Sequence, residues 1–287
     1  MREWIDLHLH STASDGSLSP RDLIGLAFNK KAAAVALTDH DTIDGLKEAL
    51  EAGEEFHLEV IPGVEISAQY ESGTMHVLGY YIDASHPGFN HDLKLLQEAR
   101  KQRNPQIVAK LQAAGLPVSW QEINAQSQGQ IGRPHIARVL LQKGLVSSLD
   151  EAFHKYLKKG AVAYVDKFRF PPAKAIAMIL QAGGIPVLAH PFSLNCPSWK
   201  DLFTLIRELK GYGLQGVEVL YPKHTDEQVR NYFSLVKELK LLYTGGSDFH
   251  GNNKENVDLL VGRGDLRVPY GVVEAMKALR IQPEPVQ

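Results

Sequence analysis

The stretch that organises this chain reads Ile5-Asp6-Leu7-His8-Leu9-His10 and is followed by Asp15-Gly16. Its apolar residues predict a short buried strand. Side chains at positions i and i+2 of a strand lie on the same face, so His8 and His10 project together. Two imidazoles and a nearby carboxylate at one strand end indicate a divalent metal site, although a single His-x-His pair also occurs by chance.

The composition is that of an ordinary globular protein. The 287 residues are 44% hydrophobic and 22% charged, with a net charge of −2. A basic surface for long duplex nucleic acid is therefore not expected. No apolar run approaches the ~20 residues of a membrane span, and residues 1–6 lack the apolar stretch that is expected of a signal peptide. Cys196 is the single cysteine, which excludes an intrachain disulfide, and we expect a cytoplasmic protein without a membrane partner.

Strand and helix patterns alternate along most of the chain. Apolar runs typical of buried strands end in Thr38-Asp39-His40-Asp41, Ala189-His190-Pro191 and Ser247-Asp248-Phe249-His250. This alternation with amphipathic helices predicts an α/β fold with a parallel sheet. Between residues 86 and 166 the pattern is helical instead. We therefore expect an α/β barrel domain over 1–85 and 167–287, and a helical insertion over 86–166 that caps the substrate site.

One strand boundary is expected at Pro62-Gly63-Val64-Glu65. Proline and glycine commonly interrupt strands. The sequence therefore predicts that Glu59–Ile61 and Ile66–Tyr70 are separate strands, with Glu65 just past the end of the first.

Metal-binding residue types recur at predicted strand ends. The carboxyl ends of parallel strands meet at one face, so these side chains are expected to gather there. A single histidine at a strand end is usually an ordinary residue, whereas the joint pattern favours a shared site. Imidazoles and carboxylates without thiolates suit zinc, manganese or iron, and the set is large enough for two or three ions. The candidates are His8, His10, Asp15, His40, Glu65, His76, His190, Asp248 and His250.

The first helix of the insertion carries two arginines on its apolar face. Steps of three and four residues align Leu93, Leu96, Arg100, Arg103, Ile107 and Leu111. Buried guanidinium groups need an anionic partner, and a phosphate held by bidentate contacts is one such partner. The alternative is that both arginines extend to solvent or pair with Glu98 or Glu122.

Taken together, these motifs resemble the PHP family (polymerase and histidinol phosphatase), and the resemblance covers nearly the whole chain. It implies a distorted seven-stranded (β/α) barrel of the α/β class with a trinuclear metal site. The implied ligands are His8, His10, Glu65 and Asp248 for the first ion, Glu65, His76 and His190 for the second, and Asp15, His40 and His250 for the third.

Within this family, the chain is most similar to phosphoesterases that act on nucleotides. Their helical insertion carries Arg-x-x-Arg-Asn and Gly-Arg-x-His segments, which here read Arg100-Lys101-Gln102-Arg103-Asn104 and Gly132-Arg133-Pro134-His135. The resemblance implies that a non-reacting substrate phosphate is held by Arg100, Arg103, Asn104, Arg133 and His135.

The implied activity is hydrolysis of nucleotide phosphate esters by water that two or three divalent ions activate, with manganese expected first and iron or zinc as alternatives. A 5′-phosphate in the insertion would present the phosphate on the 3′ oxygen to the metals. This predicts 3′-phosphate release from 3′,5′-bisphosphonucleosides, 5′→3′ exonuclease trimming of short 5′-phosphorylated oligonucleotides, or both. The alternatives are a histidinol-phosphate phosphatase and a non-catalytic metal-binding regulatory module. The sequence makes no prediction of oligomeric state.

Overall fold

The computed structural model describes residues 3–125 and 129–281. The strands are β1 (Trp4–Leu9), β2 (Ala34–Leu37), β3 (Glu59–Ala68), β4 (Met75–Tyr80), β5 (Ile185–Leu188), β6 (Gly216–Leu220), β7 (Leu242–Gly245) and β8 (Val268–Pro269). The α-helices are α1 (Pro20–Asn29), α2 (Leu46–Phe56), α3 (Pro87–Ala113), α4 (Trp120–Asn124), α5 (Arg133–Gln142), α6 (Leu149–Ala152), α7 (Pro172–Gln181), α8 (Trp199–Gly211), α9 (Asp226–Glu238) and α10 (Gly271–Ile281). A π-helical turn, Phe153–Leu157, extends α6.

The described strands form one mixed sheet in the order β7-β6-β5-β4-β3-β2-β1-β8. Neighbours are parallel except that β4 and β8 run antiparallel to the strands beside them. An isolated parallel bridge joins Leu9 to Phe249, so the chain after β7 lies beside the end of β1. The sheet therefore curves into a nearly closed barrel. The predicted α/β barrel class is confirmed, with the short β8 as an eighth strand.

The outer helices follow from local sequence signals and apolar faces. Ser19 caps α1 by accepting a hydrogen bond from the backbone N–H of Asp22 at 3.0 Å, and Pro20 opens the helix. The same helix buries Leu23 and Ile24 against the sheet. Each fully buried side chain of this size stabilises the fold by roughly 1.5–3 kcal/mol. The helices thereby hold the strand ends in place.

The expected break at Pro62-Gly63-Val64-Glu65 is wrong, because β3 runs through it without interruption. The two halves of β3 have different partners: the strand pairs in parallel with β2 as far as Pro62 and antiparallel with β4 from Gly63 onward. A Cβ on Gly63 would lie 2.9 Å from the carbonyl oxygen of Leu37, so the close approach of β2 requires glycine. Glu65 consequently lies inside a long, rigid strand.

Helices α3 to α6 lie between β4 and α7, as the helical pattern predicted. Their apolar side chains form a hydrophobic cluster of their own, which includes Ile107, Ile136 and Leu140. The N-terminal half of α3 instead packs into the core of the barrel through Phe89 and Leu93. One helix thus joins the insertion to the barrel. None of the described helices combines the length and the apolar character needed to cross a bilayer.

Candidate metal centre and phosphate pocket

His8 and His10 lie at the end of β1 with fully buried side chains, and their ring centroids are 5.2 Å apart. Two glycines allow other segments to approach them. A Cβ on Gly16 would lie 2.1 Å from the carbonyl oxygen of His10, and one on Gly246 would lie 2.4 Å from the Cβ of His8. The loop after β1 and the end of β7 can therefore enclose the two histidines only because glycine occupies both positions.

The buried carboxylate of Glu65 is the centre of a cluster of imidazoles. It protrudes from β3, and five histidines from four different parts of the chain surround it. The distances from a Glu65 carboxylate oxygen are 3.2 Å to His8 Nε2, 3.3 Å to His10 Nε2, 2.9 Å to His40 Nδ1, 2.7 Å to His76 Nδ1 and 3.0 Å to His190 Nε2. This position suits a carboxylate shared between ions.

The structure brings all nine predicted ligand residues together. They form four overlapping groups, in each of which the potential ligand atoms lie within 4.8 Å of one another. The groups are His8 with His10 and Glu65; His40 with Glu65 and His76; His8 with His190 and Asp248; and His10 with Asp15, His40 and His250. The last and largest of these groups contains the ligand set implied for the third ion, Asp15, His40 and His250, together with His10. We name the nine residues the metal cluster.

The donor atoms of the metal cluster fit divalent ions. Among the described residues, several buried atoms of the cluster have no hydrogen-bond partner: His8 Nε2, both ring nitrogens of His10, His40 Nδ1 and Glu65 Oε2. An unsatisfied buried polar group costs about 1–3 kcal/mol, and in native proteins it calls for an explanation such as a bound ion. Ions bound through imidazole nitrogen and carboxylate oxygen would satisfy all of these atoms.

The charges within the metal cluster keep Glu65 ionised. Burial raises the pKa of its carboxyl group, but the surrounding imidazoles, chiefly His76 and His40, bring the pKa well below its usual range. Burial lowers the pKa of His10, whereas the carboxylates of Asp248 and Glu65 raise it to about 9. Protons on His8 and His10, whose pKa values are raised by the surrounding carboxylates, thus offset negative charge as a divalent cation would, and metal binding would release them.

A basic pocket of about 410 Å³ opens beside the metal cluster, and we name it the arginine pocket. Asp15, His40 and His76 line its inner side. Its outer side is strongly cationic and carries Arg100, Arg103, Arg133, Lys158, Lys159, Lys167 and Arg169. Both arginines of α3 are buried, as the sequence spacing predicted. The pocket therefore places concentrated positive charge beside the metal cluster.

Arg103 lies in the arginine pocket, and its side-chain hydrogen-bond partner is the neutral amide of Asn104. Its Nε and Nη2 donate to Oδ1 of Asn104 at 3.2 and 2.8 Å, and the amide of Asn104 donates to the carbonyl oxygen of Ile131. Burial and the nearby Arg100 and Arg133 lower the pKa of Arg103 to about 9. A buried guanidinium among like charges is destabilising unless an anion joins it. Asn104 orients Arg103 in the present arrangement.

Arg100 has an acidic partner that the sequence did not indicate. Its Nε and Nη2 donate to Asp41 Oδ2 at 2.9 and 2.6 Å, and Lys167 Nζ donates to the same oxygen at 2.8 Å. Burial raises the pKa of Asp41, but Lys167 and Arg100 bring it well below its usual range. Asp41, rather than Glu98 or Glu122, therefore holds two cations at the wall of the pocket.

The other two predicted phosphate residues lie at the start of α5. Arg133 Nη1 donates to the carbonyl oxygen of Leu157 at 2.9 Å, and its guanidinium lies 5.9 Å from the ring centroids of Phe153 and Tyr164. His135 accepts a hydrogen bond at Nδ1 from the backbone N–H of Gly132 at 3.0 Å. Arg133 lines the arginine pocket, whereas the described contact of His135 shapes the first turn of α5.

A second cleft, of about 420 Å³, also opens on the metal cluster. Its inner wall includes Glu65, His190 and Asp248, and its outer wall comes from the loops after β6 and β7 and from residues 148–153 of the helical insertion. The second cleft and the arginine pocket share Asp15, His40, His76, Pro134 and Phe153. The metal cluster therefore lies where two depressions with different outer walls meet.

A comparison with protein-family models decides the classification. The PHP domain model matches residues 6–165, which is more than half of the chain and includes six residues of the metal cluster, His8, His10, Asp15, His40, Glu65 and His76. The chain belongs to the PHP family.

Characterised relatives resemble this PHP protein over most of their length. It is 37% identical over 269 residues to a 5′-3′ exoribonuclease of Haemophilus influenzae, covering 91% of this chain and 98% of the relative. It is 33% identical over 261 residues to a 3′,5′-nucleoside bisphosphate phosphatase of Chromobacterium violaceum, covering 89% and 90%. A crystal structure of a candidate metal-dependent phosphoesterase from Bifidobacterium adolescentis superposes with a TM-score of 0.87 at 30% identity, covering 98% and 97%. This PHP protein is a metal-dependent phosphoesterase.

Several residues that support the metal cluster of this PHP enzyme were not predicted. Glu218 in β6 accepts hydrogen bonds from His8 Nδ1 at 2.9 Å and from the backbone N–H of His190 at 2.7 Å. A carboxylate inside the apolar strand Gly216–Leu220 is a sequence signal that could have identified it. Such partners orient metal-binding imidazoles and select their tautomer.

The loops around the cluster are braced in a similar way. Tyr221 donates to Asp248 Oδ2 at 2.7 Å, and Lys254 forms an ion pair with the same oxygen. Asp39 accepts from the backbone N–H of Ser11 at 2.8 Å and from the hydroxyl of Ser14 at 2.5 Å. These contacts hold the loops of this PHP enzyme that carry Asp15 and Asp248.

Three non-glycine residues at the site have positive φ angles: Asp41 (52°), His190 (25°) and Asp248 (54°). Such conformations cost of order 1–3 kcal/mol each and persist where surrounding contacts enforce them. His190 and Asp248 belong to the metal cluster, and Asp41 holds Arg100. In this PHP enzyme, backbone strain therefore coincides with the placement of functional side chains.

Proposed function

We propose that this protein releases the 3′-phosphate from 3′,5′-bisphosphonucleosides and removes 5′ nucleotides from short 5′-phosphorylated oligonucleotides, in the cytoplasm and with Mn²⁺ as the preferred ion. The observation that carries the proposal is that Asp15, His40 and His76 line one pocket together with Arg100, Arg103 and Arg133. A substrate with two phosphates can therefore contact both groups at once. The names of the two characterised relatives support these reactions.

The arginine pocket would hold the phosphate that does not react. Arg103 and Arg133 offer guanidinium groups whose described hydrogen bonds go to neutral acceptors. Planar guanidinium groups match the oxygens of a phosphate, and charge-assisted hydrogen bonds of this kind are the strong ones. A bound phosphate would also offset the repulsion among the arginines. We assign Asn104 and His135 to positioning this wall, and residues 86–166 to a substrate cap.

The metal cluster would hold the reacting phosphate. His8, His10, Glu65 and Asp248 would bind one ion, Glu65, His76 and His190 a second, and Asp15, His40 and His250 a third. When bound, such ions lower the pKa of a water molecule towards ~7 and offset the charge of the phosphoryl group. Glu218 keeps the lone pair of His8 Nε2 directed into the cluster, and Glu65, at its centre, can bridge two ions.

Both reactions break the same bond. The oxygen of water forms a bond to the phosphorus on the 3′ oxygen, the P–O3′ bond breaks, and the 3′ oxygen takes up a proton. A bisphosphonucleoside then yields a 5′-mononucleotide and inorganic phosphate. An oligonucleotide yields a 5′-mononucleotide and a shortened chain with a new 5′-phosphate. Holding the 5′-phosphate in the arginine pocket selects this bond in both substrates.

The test is a comparison of substrates with the purified protein and Mn²⁺. We expect turnover of 3′-phosphoadenosine 5′-phosphate and of a 5′-phosphorylated RNA oligomer, little turnover of histidinol phosphate, and none by the Asp248→Ala variant. Preferential turnover of histidinol phosphate would favour the histidinol-phosphate phosphatase instead. Absence of turnover with every substrate, in a protein that binds Mn²⁺, would indicate a regulatory metal-binding module.

A further inference from the structure

The outer wall of the second cleft carries three cations in addition to the residues of the metal cluster. Lys223 follows β6, Lys254 follows β7, and Arg263 lies in the loop before β8. Lys254 and Arg263 lie close enough to Lys223 to lower its pKa. Burial and the neighbouring Lys254 lower the pKa of Lys223, Asp248 opposes them, and Arg263 lowers the pKa further. Three cations from two loops, the one after β6 and the one between β7 and β8, thus line the cleft beside the metal cluster.

Two of these cations are free to bind a ligand. Lys254 forms an ion pair with Asp248, which accounts for its charge. Lys223 and Arg263 are exposed at the cleft surface. Asp150 and Glu255 line the same cleft. This mixture of charges disfavours a dense polyanion such as a triphosphate and suits a chain that carries one negative charge per nucleotide.

The orientation of a bound oligonucleotide follows from the proposed positions of its 5′-phosphate and its reacting phosphate. With the 5′-phosphate in the arginine pocket and the P–O3′ bond at the metal cluster, the first nucleoside lies between them. In an oligonucleotide, the nucleotides that follow the reacting phosphate must therefore extend from the metal cluster through another opening. The second cleft is such an opening, because Glu65, His190 and Asp248 line its inner wall.

We propose that the second cleft is a downstream subsite in which Lys223 and Arg263 bind the phosphates of the nucleotides that follow the scissile bond of a single-stranded oligonucleotide. This inference rests on the proposed function and deepens it. Phe153, Leu149 and Val257 line the same cleft and provide apolar surface for a base. A 3′,5′-bisphosphonucleoside ends at the reacting phosphate and cannot reach this subsite. The subsite therefore favours oligonucleotides over mononucleotides.

The test compares two substrates that share the arginine pocket and the metal cluster. The variant is the double substitution Lys223→Ala with Arg263→Ala, and the substrates are 3′-phosphoadenosine 5′-phosphate and the 5′-phosphorylated trinucleotide pApApA, both with Mn²⁺. We expect KM for the trinucleotide to rise about tenfold relative to KM for the bisphosphate. The slope of log(kcat/KM) against log salt concentration for the trinucleotide should fall by about 0.7, since pApApA carries a single phosphate beyond the scissile bond and each lost phosphate contact on a single strand contributes about 0.7.

A matched control removes two positive charges elsewhere. The double substitution Lys47→Ala with Lys237→Ala lies on the exposed surfaces of α2 and α9 and should leave the trinucleotide KM and its salt slope as in the wild type. Equal KM shifts for both substrates in the Lys223/Arg263 variant, or no shift for either, would overturn the downstream subsite. Wild-type protein that hydrolyses neither substrate would overturn the proposed function, and the subsite with it.

Discussion

The Nδ1 of His8 donates a hydrogen bond to Oε1 of Glu218 at 2.9 Å, and both side chains are completely buried. Because a carboxylate occupies the Nδ1 side, the lone pair of Nε2 points towards Glu65 and Asp248, at 3.2 and 3.7 Å. The pair therefore sets the tautomer in which His8 can bind a metal ion.

Replacement of Glu218 by glutamine should weaken metal binding. The amide can accept from His8 or from the backbone N–H of His190, but it cannot accept at both of its ends. Loss of such an orienting partner typically reduces metal affinity by about 10–100-fold. Titration of the metal-free protein with Mn²⁺ by calorimetry measures the effect, with Glu238→Gln at the exposed end of α9 as the control. Equal affinities in both variants would show that the hydrogen bond does not orient His8.

Arg103→Ala should act mainly on KM. A charge-assisted hydrogen bond contributes about 1.5–3 kcal/mol, so its loss should raise KM for 5′-phosphorylated substrates roughly 10–100-fold. Because Arg103 is remote from the reacting bond in the proposed arrangement, kcat should change much less. Steady-state kinetics on 3′-phosphoadenosine 5′-phosphate and on 3′-AMP, which lacks the 5′-phosphate, separate the two parameters. Arg207→Ala on the exposed face of α8 is the control. An unchanged KM for the bisphosphate would contradict the phosphate pocket.

Asp41→Asn should destabilise the fold. The carboxylate is fully buried and accepts from Arg100, Lys167 and Ser67, so its removal leaves two cations without their anion. Breaking a buried ion pair in this way costs roughly 3–5 kcal/mol. The free energy of unfolding from urea denaturation measures the loss. Addition of inorganic phosphate should restore part of it, because phosphate would bind the cations that remain. A variant as stable as the wild type would show that these cations are solvated.

Gly246→Ala should disturb the metal cluster through the backbone. The added Cβ would lie 2.4 Å from the Cβ of His8 and 2.5 Å from its backbone nitrogen, so β1 or the end of β7 must move. Such overpacking typically costs about 1–3 kcal/mol, and here it should also lower the affinity for Mn²⁺.

A second glycine provides the control for this effect. Gly211 ends α8, and a Cβ built there has nothing within 4 Å. Gly211→Ala should therefore be neutral or stabilise the protein by up to about 1 kcal/mol, with unchanged metal binding. Thermal unfolding and Mn²⁺ titration of both variants make the comparison. A similar loss of metal affinity in the two variants would contradict a specific role of Gly246.

Features that depend on local periodicity were predictable. Residues at i and i+2 share one face of any strand, which places His8 and His10 together. Residues three apart share one face of any helix, which places Arg100 and Arg103 together. Both placements therefore followed from the sequence. The long apolar runs indicated the buried strands for the same reason. The continuous strand β3 was missed because its continuity arises from a change of partner at Gly63, and strand partners are not encoded locally.

Contacts between distant residues were not predictable. A phosphate was the expected partner of Arg100, with Glu98 or Glu122 as alternatives, yet the structure pairs Arg100 with Asp41, which lies 59 residues away in the chain. Glu218 lies 210 residues from His8. From the sequence alone, many carboxylates could pair with Arg100 or with His8. Burial and strand order select one carboxylate for each.

The sequence by itself determined which side chains are candidates for binding metal ions and phosphate, the helical face that carries the arginines, and the barrel class. Only the tertiary structure decided that Glu65 is the centre of the five imidazoles, that Glu218 orients His8, and that a second basic cleft opens beside the arginine pocket. The physical reason is that chemistry and periodicity belong to single residues and short segments. Distances between side chains depend on strand order, register and loop packing, which the whole chain sets together.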